Sequence, residues 1–347
     1  MRKKKLVTLQ DIADELKLTI HTVSKALRGL PGMSEATREE VIETARRLGY
    51  RTKEQGLRGW YEKSPKLMTG RKRFTLLLNK DTPFFQLQLA GLQERLHEYG
   101  HSITVSFFPS FVKDRQGLER WVEQTDLLYN DGLFIPPTIH PELEAMLLSL
   151  PLPKVLINYP PPLAEVDSVI WDVEHAIRLS VRHFAVNGHR KILYIGNTHE
   201  HRGFQLRWTA FQSAMQELGC TVDPGDHLTE SKPFHSGWDE ELYAKLLHTG
   251  CTAILCAIDM DLYPLLYLLQ TRGHTVPADY SLIGLENLGQ PDVYPSLARP
   301  ALLVKEAGCR AAERMLRRIA DPAEPFEHIR LAGGFIAGDS VSLLPRS

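Results

Sequence analysis

Residues 7–27 read VTLQDIADELKLTIHTVSKAL and predict two short helices joined by a tight turn. Thr8 and Asp11 have the spacing of a capping box, in which each side chain accepts a hydrogen bond from the other residue's backbone. Apolar residues then recur at helical spacing, and Thr19 can cap a second helix over residues 20–27. The stretch therefore indicates a small helical domain at the start of the chain.

A third helix is predicted after Ser34, which can cap it, and Gly49 ends it. Three short helices with a tight turn between the first two are typical of the helix-turn-helix, a DNA-binding arrangement. A small three-helix bundle with a solvated polar face is the alternative interpretation of the pattern alone.

The second helix has one apolar and one polar face. Val23, Ala26 and Leu27 are expected to point into the helical core. The outward residues are Ile20, His21, Thr22, Ser24, Lys25 and Arg28. Such a face offers hydrogen-bonding groups and positive charge near the helix start, the part that enters a DNA major groove.

Residues 7–50 resemble the DNA-binding head of the LacI/GalR family of bacterial repressors. The residues in register are Val7, Thr8, Asp11, Ile12, Ala13, Thr22, Val23, Ser24, Lys25, Ser34, Thr37, Arg38, Val41, Leu48, Gly49 and Tyr50. A match of this length is more specific than a short motif. One departure lies in the turn, where Lys17 replaces the family's glycine. A left-handed backbone would cost about 1 kcal/mol more there than with glycine.

The resemblance implies which residues contact DNA. Ile20, His21 and Lys25 fall where the family contacts bases, and lysine can donate to guanine O6 and N7. The residues at phosphate-binding positions are Thr8, Thr22, Ser24, Ser34 and Thr37. Phosphate contacts position a protein on the duplex without reading its sequence.

The net charge of −1 hides an asymmetry between the two ends of the chain. Residues 1–73 carry a charge of +9, and the remainder carries −10.

Residues 51–73 form a basic linker with three glycines, two of which disfavour a helix by about 1 kcal/mol each. In the family this segment forms a hinge helix whose leucine enters the minor groove, but Gly59 stands at that position. Leu57 or Trp60 could replace the wedge, and a flexible tether that contacts only phosphates is the alternative.

From residue 74 onward, apolar runs alternate with helical stretches, which predicts parallel sheets covered by helices. The strands are expected at 74–78, 103–108, 132–135, 154–157, 191–195, 253–256 and 281–285. Three segments also resemble the LacI/GalR family: residues 181–197, 206–219 and 269–287. The resemblance implies a helix-turn-helix head followed by an α/β domain of the type I periplasmic-binding-protein-like class, with two lobes.

The domain boundaries follow from these patterns. We expect a head over 1–50, a basic linker over 51–73 and a two-lobed domain for effector binding and dimerisation over 74–347. The first lobe is expected to hold residues 74–170 and 300–327, and the second lobe residues 171–299 and 328–347.

Several classes of function are disfavoured. The sequence has no phosphate-binding loop, nucleophile elbow, HExxH motif or paired CxxC spacing, so we expect neither an enzyme nor a metal or cofactor site. No apolar run approaches the roughly 18 residues of a membrane span, and the N-terminus lacks the apolar core of a signal peptide. The expected location is the cytoplasm.

Candidate effector contacts follow from the family match. The residues at pocket positions are Phe84, Asn158, Asp172, Arg207 and Glu286, with Trp171 and Trp208 as further candidates for stacking on a ring. Polar groups at the carboxyl ends of parallel strands commonly bind ligands. A departure lies at Ile258, where the family carries a ligand-binding asparagine.

Together these features predict a sequence-specific transcriptional regulator, by family analogy a repressor. It would bind a pseudo-palindromic double-stranded DNA operator as a homodimer, under control of a small-molecule effector, a sugar or related metabolite, bound between two lobes. Two alternatives stay open. The pocket could be vestigial and the regulator controlled by a protein partner, as the loss of asparagine at Ile258 suggests, or the body could be an α/β enzyme.

Overall fold

A computed structural model of the protein describes residues 8–27, 33–48, 71–109, 111–112, 114–137, 141–230, 237–286 and 296–344. The chain divides into two units, residues 1–69 and 70–347.

The first unit contains three helices: α1 (Leu9–Leu16), α2 (Ile20–Leu27) and α3 (Glu35–Leu48). The backbone N–H of Thr8 donates to the Asp11 carboxylate at 2.6 Å, and the Thr8 hydroxyl accepts from the Asp11 N–H, which completes the predicted capping box. Lys17 ends α1 with a left-handed backbone, at φ 52°. The fully buried side chains of the core are Ile12, Ala13, Val23, Ala26, Val41 and Ala45. The helix-turn-helix prediction is confirmed.

The second unit alternates strands and helices. The strands are β1 (Arg73–Leu78), β2 (Ser102–Phe107), β3 (Gly132–Ile135), β4 (Lys154–Leu156), β5 (Asp167–Trp171), β6 (Ile192–Ile195), β7 (Ala253–Cys256), β8 (Ser281–Gly284), β9 (Arg299–Pro300), β10 (His328–Leu331) and β11 (Phe335–Ile336). The helices are α4 (Pro83–Glu98), α5 (Arg115–Gln124), α6 (Pro141–Leu148), α7 (Val173–Val186), α8 (Arg202–Glu217), α9 (Trp238–Thr249), α10 (Asp259–Thr271) and α11 (Val304–Ala320). Two short 3₁₀ helices cover Asp126–Tyr129 and Pro224–Asp226.

The strands form two parallel sheets, one in each lobe. The first sheet has the order β10-β5-β4-β3-β1-β2, and the second has the order β6-β7-β8. The chain passes between the lobes after β5, between β9 and α11, and between β10 and β11, which pairs antiparallel with β9. The predicted two-lobed α/β architecture with parallel sheets is confirmed.

One lobe assignment needs correction. Residues 328–347 were expected in the second lobe, but β10 pairs in parallel with β5 of the first sheet, from His328 beside Ser168 to Leu331 beside Trp171. The reason is that α11 packs against β5 and α4, so the chain that leaves α11 reaches the open edge of the first sheet beside β5.

Helices α4 and α11 approach each other through two glycines. A Cβ atom at Gly91 would lie 2.0 Å from the carbonyl oxygen of Lys305, and one at Gly308 would lie 2.3 Å from that of Gln88. Both obstacles are backbone atoms of the opposing helix, so neither can turn aside as a side chain does. The close packing of this pair therefore requires hydrogen in place of a side chain at both positions.

We predict that Gly91→Ala lowers the free energy of unfolding by about 1–3 kcal/mol, because the added methyl must push the two helices apart. Urea unfolding of the full chain measures the loss. Gly334→Ala is the matched control, since a Cβ atom there meets nothing within 4 Å. Equal stability of the two variants would contradict the close-packing argument.

Candidate functional site

The outward face of α2 carries the residues that sequence analysis assigned to DNA. Val23 and Ala26 are buried in the head core, whereas Ile20 is exposed and Thr22, Ser24 and Lys25 are half-buried. Lys25 lies in the last turn of this eight-residue helix. The face therefore combines one cation, two hydroxyls and one aliphatic side chain. The side chain of His21 and all of Arg28 lie outside the described residues.

The predicted phosphate-contacting residues lie at helix starts. Thr8 precedes α1 and Ser34 precedes α3, and both are exposed. The Ser34 hydroxyl accepts a hydrogen bond from the N–H of Thr37 at 3.2 Å, so it caps α3. Helix N-termini carry partial positive charge and free N–H groups, which suit phosphate oxygens.

A cavity of about 270 Å³ lies between the two lobes of the second unit. It is lined by Lys80, Asp81, Thr82, Pro83, Phe84, Phe85, Pro137, Asn158, Tyr159, Ile170, Trp171, Val173, Glu200, His201, Gly203, Phe204, Arg207, Ile258, Asp259, Met260, Leu285 and Leu302. These residues follow the carboxyl ends of strands in both sheets, the place where open α/β sheets bind ligands. Its size suits a small molecule.

Aromatic rings make up much of the wall. The rings of Phe84 and Trp171 meet edge to face with centroids 5.1 Å apart. On the opposite lobe, the ring of His201 lies 3.7 Å from that of Phe204, and the Arg207 guanidinium lies 4.9 Å above the Phe204 ring. A ring-shaped ligand would find apolar faces on both sides of the cavity.

Arg207 is a buried cation, only 7% exposed. Its Nη1 donates to the carbonyl oxygen of Ala257, while Nε has no hydrogen-bond partner among the described residues. Burial lowers the pKa of this guanidinium. A buried N–H without a partner is costly, so a ligand that supplies an acceptor there would be bound favourably.

Two further nitrogens in the wall share this condition. Trp171 Nε1 and His201 Nδ1 are both buried without a hydrogen-bond partner in the described part of the chain. Burial, together with the positive charges of Arg207 and Arg202, lowers the pKa of His201 to about 3. The imidazole is therefore neutral at pH 7, and its Nδ1 can donate or accept according to its tautomer.

Two carboxyl groups in the first turn of α10 complete the polar side of the site. Burial raises the pKa of Asp259, although the positive charge of Arg207 opposes the effect. Burial, together with the negative charges of Asp259 and Glu200, raises the pKa of Asp261 to about 7. Asp259 lines the cavity and can accept from a ligand hydroxyl, whereas Asp261 does not line it.

The structure brings three of the five predicted effector residues together. Phe84, Asn158 and Arg207 line the cavity, but Asp172 and Glu286 do not. The Asp172 carboxylate caps α7 by accepting from the His175 N–H at 2.9 Å. The buried Glu286 carboxylate accepts from Arg299 at 3.1 Å.

The two tryptophan candidates divide in the same way. Trp171 lines the cavity, whereas Trp208 packs in the second lobe, 5.0 Å from the Tyr194 ring and 5.2 Å from that of His227.

Several wall residues were not predicted from the sequence, among them Tyr159, His201, Phe204 and Asp259. Helical spacing could have found Phe204, because it precedes Arg207 by three residues and so shares its face of α8. Asp259 directly follows Ile258, which the family comparison had already placed at the pocket.

We predict that Asp261→Asn stabilises the protein in a pH-dependent way. The wild-type carboxyl keeps its proton in the folded state up to about pH 7, so wild-type stability falls as pH rises from about 4 to 7. The asparagine variant should therefore gain about 1–3 kcal/mol over wild type across that window and no more above it.

Thermal unfolding between pH 4 and 8.5 measures this difference. Asp239→Asn, at an exposed position in the first turn of α9, is the matched control. A pH-independent difference for Asp261→Asn would refute the buried-carboxyl assignment.

Among the described residues, no helix combines the length and apolar character needed to cross a bilayer, and no group of three metal-binding side chains occurs.

Two sequence-family models match the chain. That of the lacI family of bacterial regulatory proteins matches residues 8–53, and that of the periplasmic binding protein-like domain matches residues 181–341.

Curated relatives match along most of the chain. It is 26% identical to an uncharacterized HTH-type transcriptional regulator in the aml 5′ region of Streptomyces limosus, covering 80% of this chain and 78% of that one. It is 23% identical to the HTH-type transcriptional repressor PurR of Vibrio cholerae, covering 99% of this chain and 100% of that one. These relatives are transcriptional regulators, in agreement with the prediction that the chain is not an enzyme.

Solved structures share the fold. A complex of the transcriptional regulator CelR with cellobiose superposes with a TM-score of 0.67 at 19% identity, covering 96% of this chain and 99% of that one. A lac repressor dimer bound to operator and the anti-inducer ONPF superposes with a TM-score of 0.66 at 19% identity, covering 97% of this chain and 100% of that one.

Both family models and the curated relatives agree with the structure: the chain belongs to the LacI/GalR family of bacterial transcriptional regulators.

Proposed function

We propose that this regulator is a repressor whose binding to operator DNA is controlled by a small polar ring compound in the interlobe cavity. The observation that carries the proposal is a set of three buried nitrogens, on Arg207, Trp171 and His201, that have no hydrogen-bond partner among the described residues and lie in a wall rich in aromatic rings. A ligand with several hydroxyl groups around a ring, each able to donate and to accept, would satisfy these groups and cover the rings.

The proposed ligand is a carbohydrate or a related metabolite, held by Phe84, Asn158 and Arg207. Related structures contain cellobiose in one regulator and ribose in another. In this chain Ile258 contributes an aliphatic side chain to the wall, at the position where the family carries a ligand-binding asparagine. Arg207 and Asp259 together offer a donor and an acceptor, the pair that a hydroxyl group requires.

The head, which we assign to residues 1–50, would read the operator through the outer face of α2. Lys25 would donate to a base edge in the major groove, and the hydroxyls of Thr8, Ser34 and Thr37 would bind phosphates. The +9 charge of residues 1–73, which include the linker at 51–73, would supply salt-dependent affinity by releasing counterions.

We also propose a homodimer, formed by the remainder of the chain, 74–347. One face of α10 leaves Met260, Tyr263 and Tyr267 exposed by 61%, 43% and 69%. These residues recur at helical spacing, and exposed apolar stripes of this kind usually mark protein contacts. The lac repressor neighbour is a dimer. A second copy covering this face would place two heads on a pseudo-palindromic operator.

We predict that Lys25→Ala reduces discrimination between the protein's own upstream DNA and scrambled DNA. Loss of a base contact costs about 1–3 kcal/mol, or roughly 5- to 150-fold. Fluorescence anisotropy of the full chain at fixed salt measures both affinities.

Lys17→Gly is the matched control for this experiment. It removes the same charge from the head, and glycine accepts the left-handed backbone of that position. It should weaken binding to both DNAs equally. If Lys25→Ala leaves the affinity ratio unchanged, α2 does not read bases through Lys25.

We predict that at least one compound from a panel of sugars, sugar phosphates and nucleosides gives a saturable rise in unfolding temperature. At one hundred times its dissociation constant, such a ligand adds about 2.7 kcal/mol of stability. Arg207→Ala should abolish the rise because it removes the buried donor.

Arg178→Ala is the control, since it truncates an exposed arginine of the same lobe that pairs with Glu217. Failure of the whole panel would exclude these ligand classes and favour control by a protein partner.

A further inference from the structure

An ion pair joins the two lobes beside the cavity. Glu144 lies in α6 of the first lobe and Arg202 is the first residue of α8 in the second lobe. The Arg202 Nη2 donates to both carboxylate oxygens of Glu144, each at 2.7 Å. Glu144 is only 2% exposed, so this carboxylate has been removed from water.

The same guanidinium makes a second contact with the first lobe. Its Nε and Nη2 donate to the carbonyl oxygen of Tyr159, at 3.0 and 2.8 Å. Tyr159 follows β4 of the first sheet, and its hydroxyl accepts from the N–H of Val173 at the start of α7. One second-lobe side chain thus engages two separate elements of the first lobe.

The other described ion pairs do not do this. Those in the second unit lie within one lobe or between neighbouring segments of it, as Arg95 with Glu313 and Arg178 with Glu217 illustrate. In the described part of the chain, Glu144 and Arg202 are the pair whose partners belong to opposite lobes.

This pair adjoins the cavity wall. His201 and Gly203, on either side of Arg202, both line the cavity, and so does Tyr159. Any relative movement of the lobes that withdraws Arg202 must therefore also move the wall. It must also leave Glu144 either hydrated or buried without its partner, and the second state is strongly unfavourable.

We propose that Glu144 and Arg202 form an interlobe latch that stabilises the lobe arrangement of this structure, in which residues of both lobes line the cavity. Only the role of the latch in regulation rests on the proposed function. An effector that binds this lobe arrangement more tightly than others would stabilise the latch, and the latch would raise the affinity for that effector by the same factor.

Interlobe distances in the full chain test the latch. Spin labels at Tyr129→Cys in the first lobe and Val186→Cys in the second occupy exposed positions. Cys220→Ser and Cys309→Ser remove the two native thiols that are not fully buried. Labelled protein is diluted with unlabelled protein, so that distances within one chain dominate a double electron–electron resonance measurement.

We predict one main distance for the protein with Glu144 and Arg202 intact. Glu144→Gln and Arg202→Gln should each shift the ratio of two lobe arrangements by about 5- to 150-fold, seen as a second distance or a broadened distribution. The double variant should change the distribution no more than Arg202→Gln alone, since that variant already removes the contacts of Arg202 with both Glu144 and Tyr159.

Arg178→Gln with Glu217→Gln is the control, because it removes an ion pair inside one lobe. Arg202→Lys is a milder variant that keeps the charge but loses the planar donors, should a glutamine variant fail to fold by circular dichroism. Unchanged distances in folded latch variants would overturn the proposal. No ligand or operator enters this measurement, so a failure of the proposed function is detected separately.

Discussion

The first lobe depends on one buried carboxylate. Asp167, fully buried at the start of β5, accepts from Arg314 Nε at 2.7 Å, from Arg318 Nε at 2.8 Å and from the N–H of Glu327 at 2.9 Å. Burial alone would raise the pKa of Asp167, but hydrogen bonds from Arg318, Glu327 and Arg314 outweigh it and lower the pKa. These hydrogen bonds join β5 to helix α11 and to Glu327, the residue that precedes β10 at the edge of the same sheet. The position of Trp171, four residues further along β5, follows from this junction.

Local patterns sufficed for the head and for most of the sheet. Caps at Thr8 and Ser34 and the spacing of Val23 and Ala26 act within a few residues, so they can be read without distant contacts. The strands predicted from apolar runs are present as well. Strand β5 was missed because it begins with Asp167 and Ser168, which look polar until the arginines of α11 are placed beside them. Strand β10 was missed because it is short and only partly buried.

The site was less predictable, since a polar residue at a strand end can serve a ligand or the fold. Asp172 and Glu286 have the chemistry of effector contacts, yet one caps α7 and the other pairs with Arg299. Arg207 is as buried as Glu286, but its Nε meets no protein acceptor in the described part of the chain. The partner of Asp172 is local, three residues along the chain, whereas that of Glu286 is 13 residues away and cannot be read from a local pattern. The cavity wall thus combines the aliphatic side chain of Ile258 with two N–H groups, Arg207 Nε and Trp171 Nε1, that have no acceptor among the described residues.

The glycine contact between α4 and α11 has a mechanical consequence. Helix α4 starts with Pro83, Phe84 and Phe85 at the cavity and continues for 16 residues, a rise of about 24 Å. Gly91, near its middle, holds it against the backbone of α11. The ion pairs of Glu94 with Lys305 and of Arg95 with Glu313 continue this contact beyond Gly91. Because the two backbones touch, a displacement of α4 at the Phe84 ring would be passed to α11 and not absorbed by side chains between them.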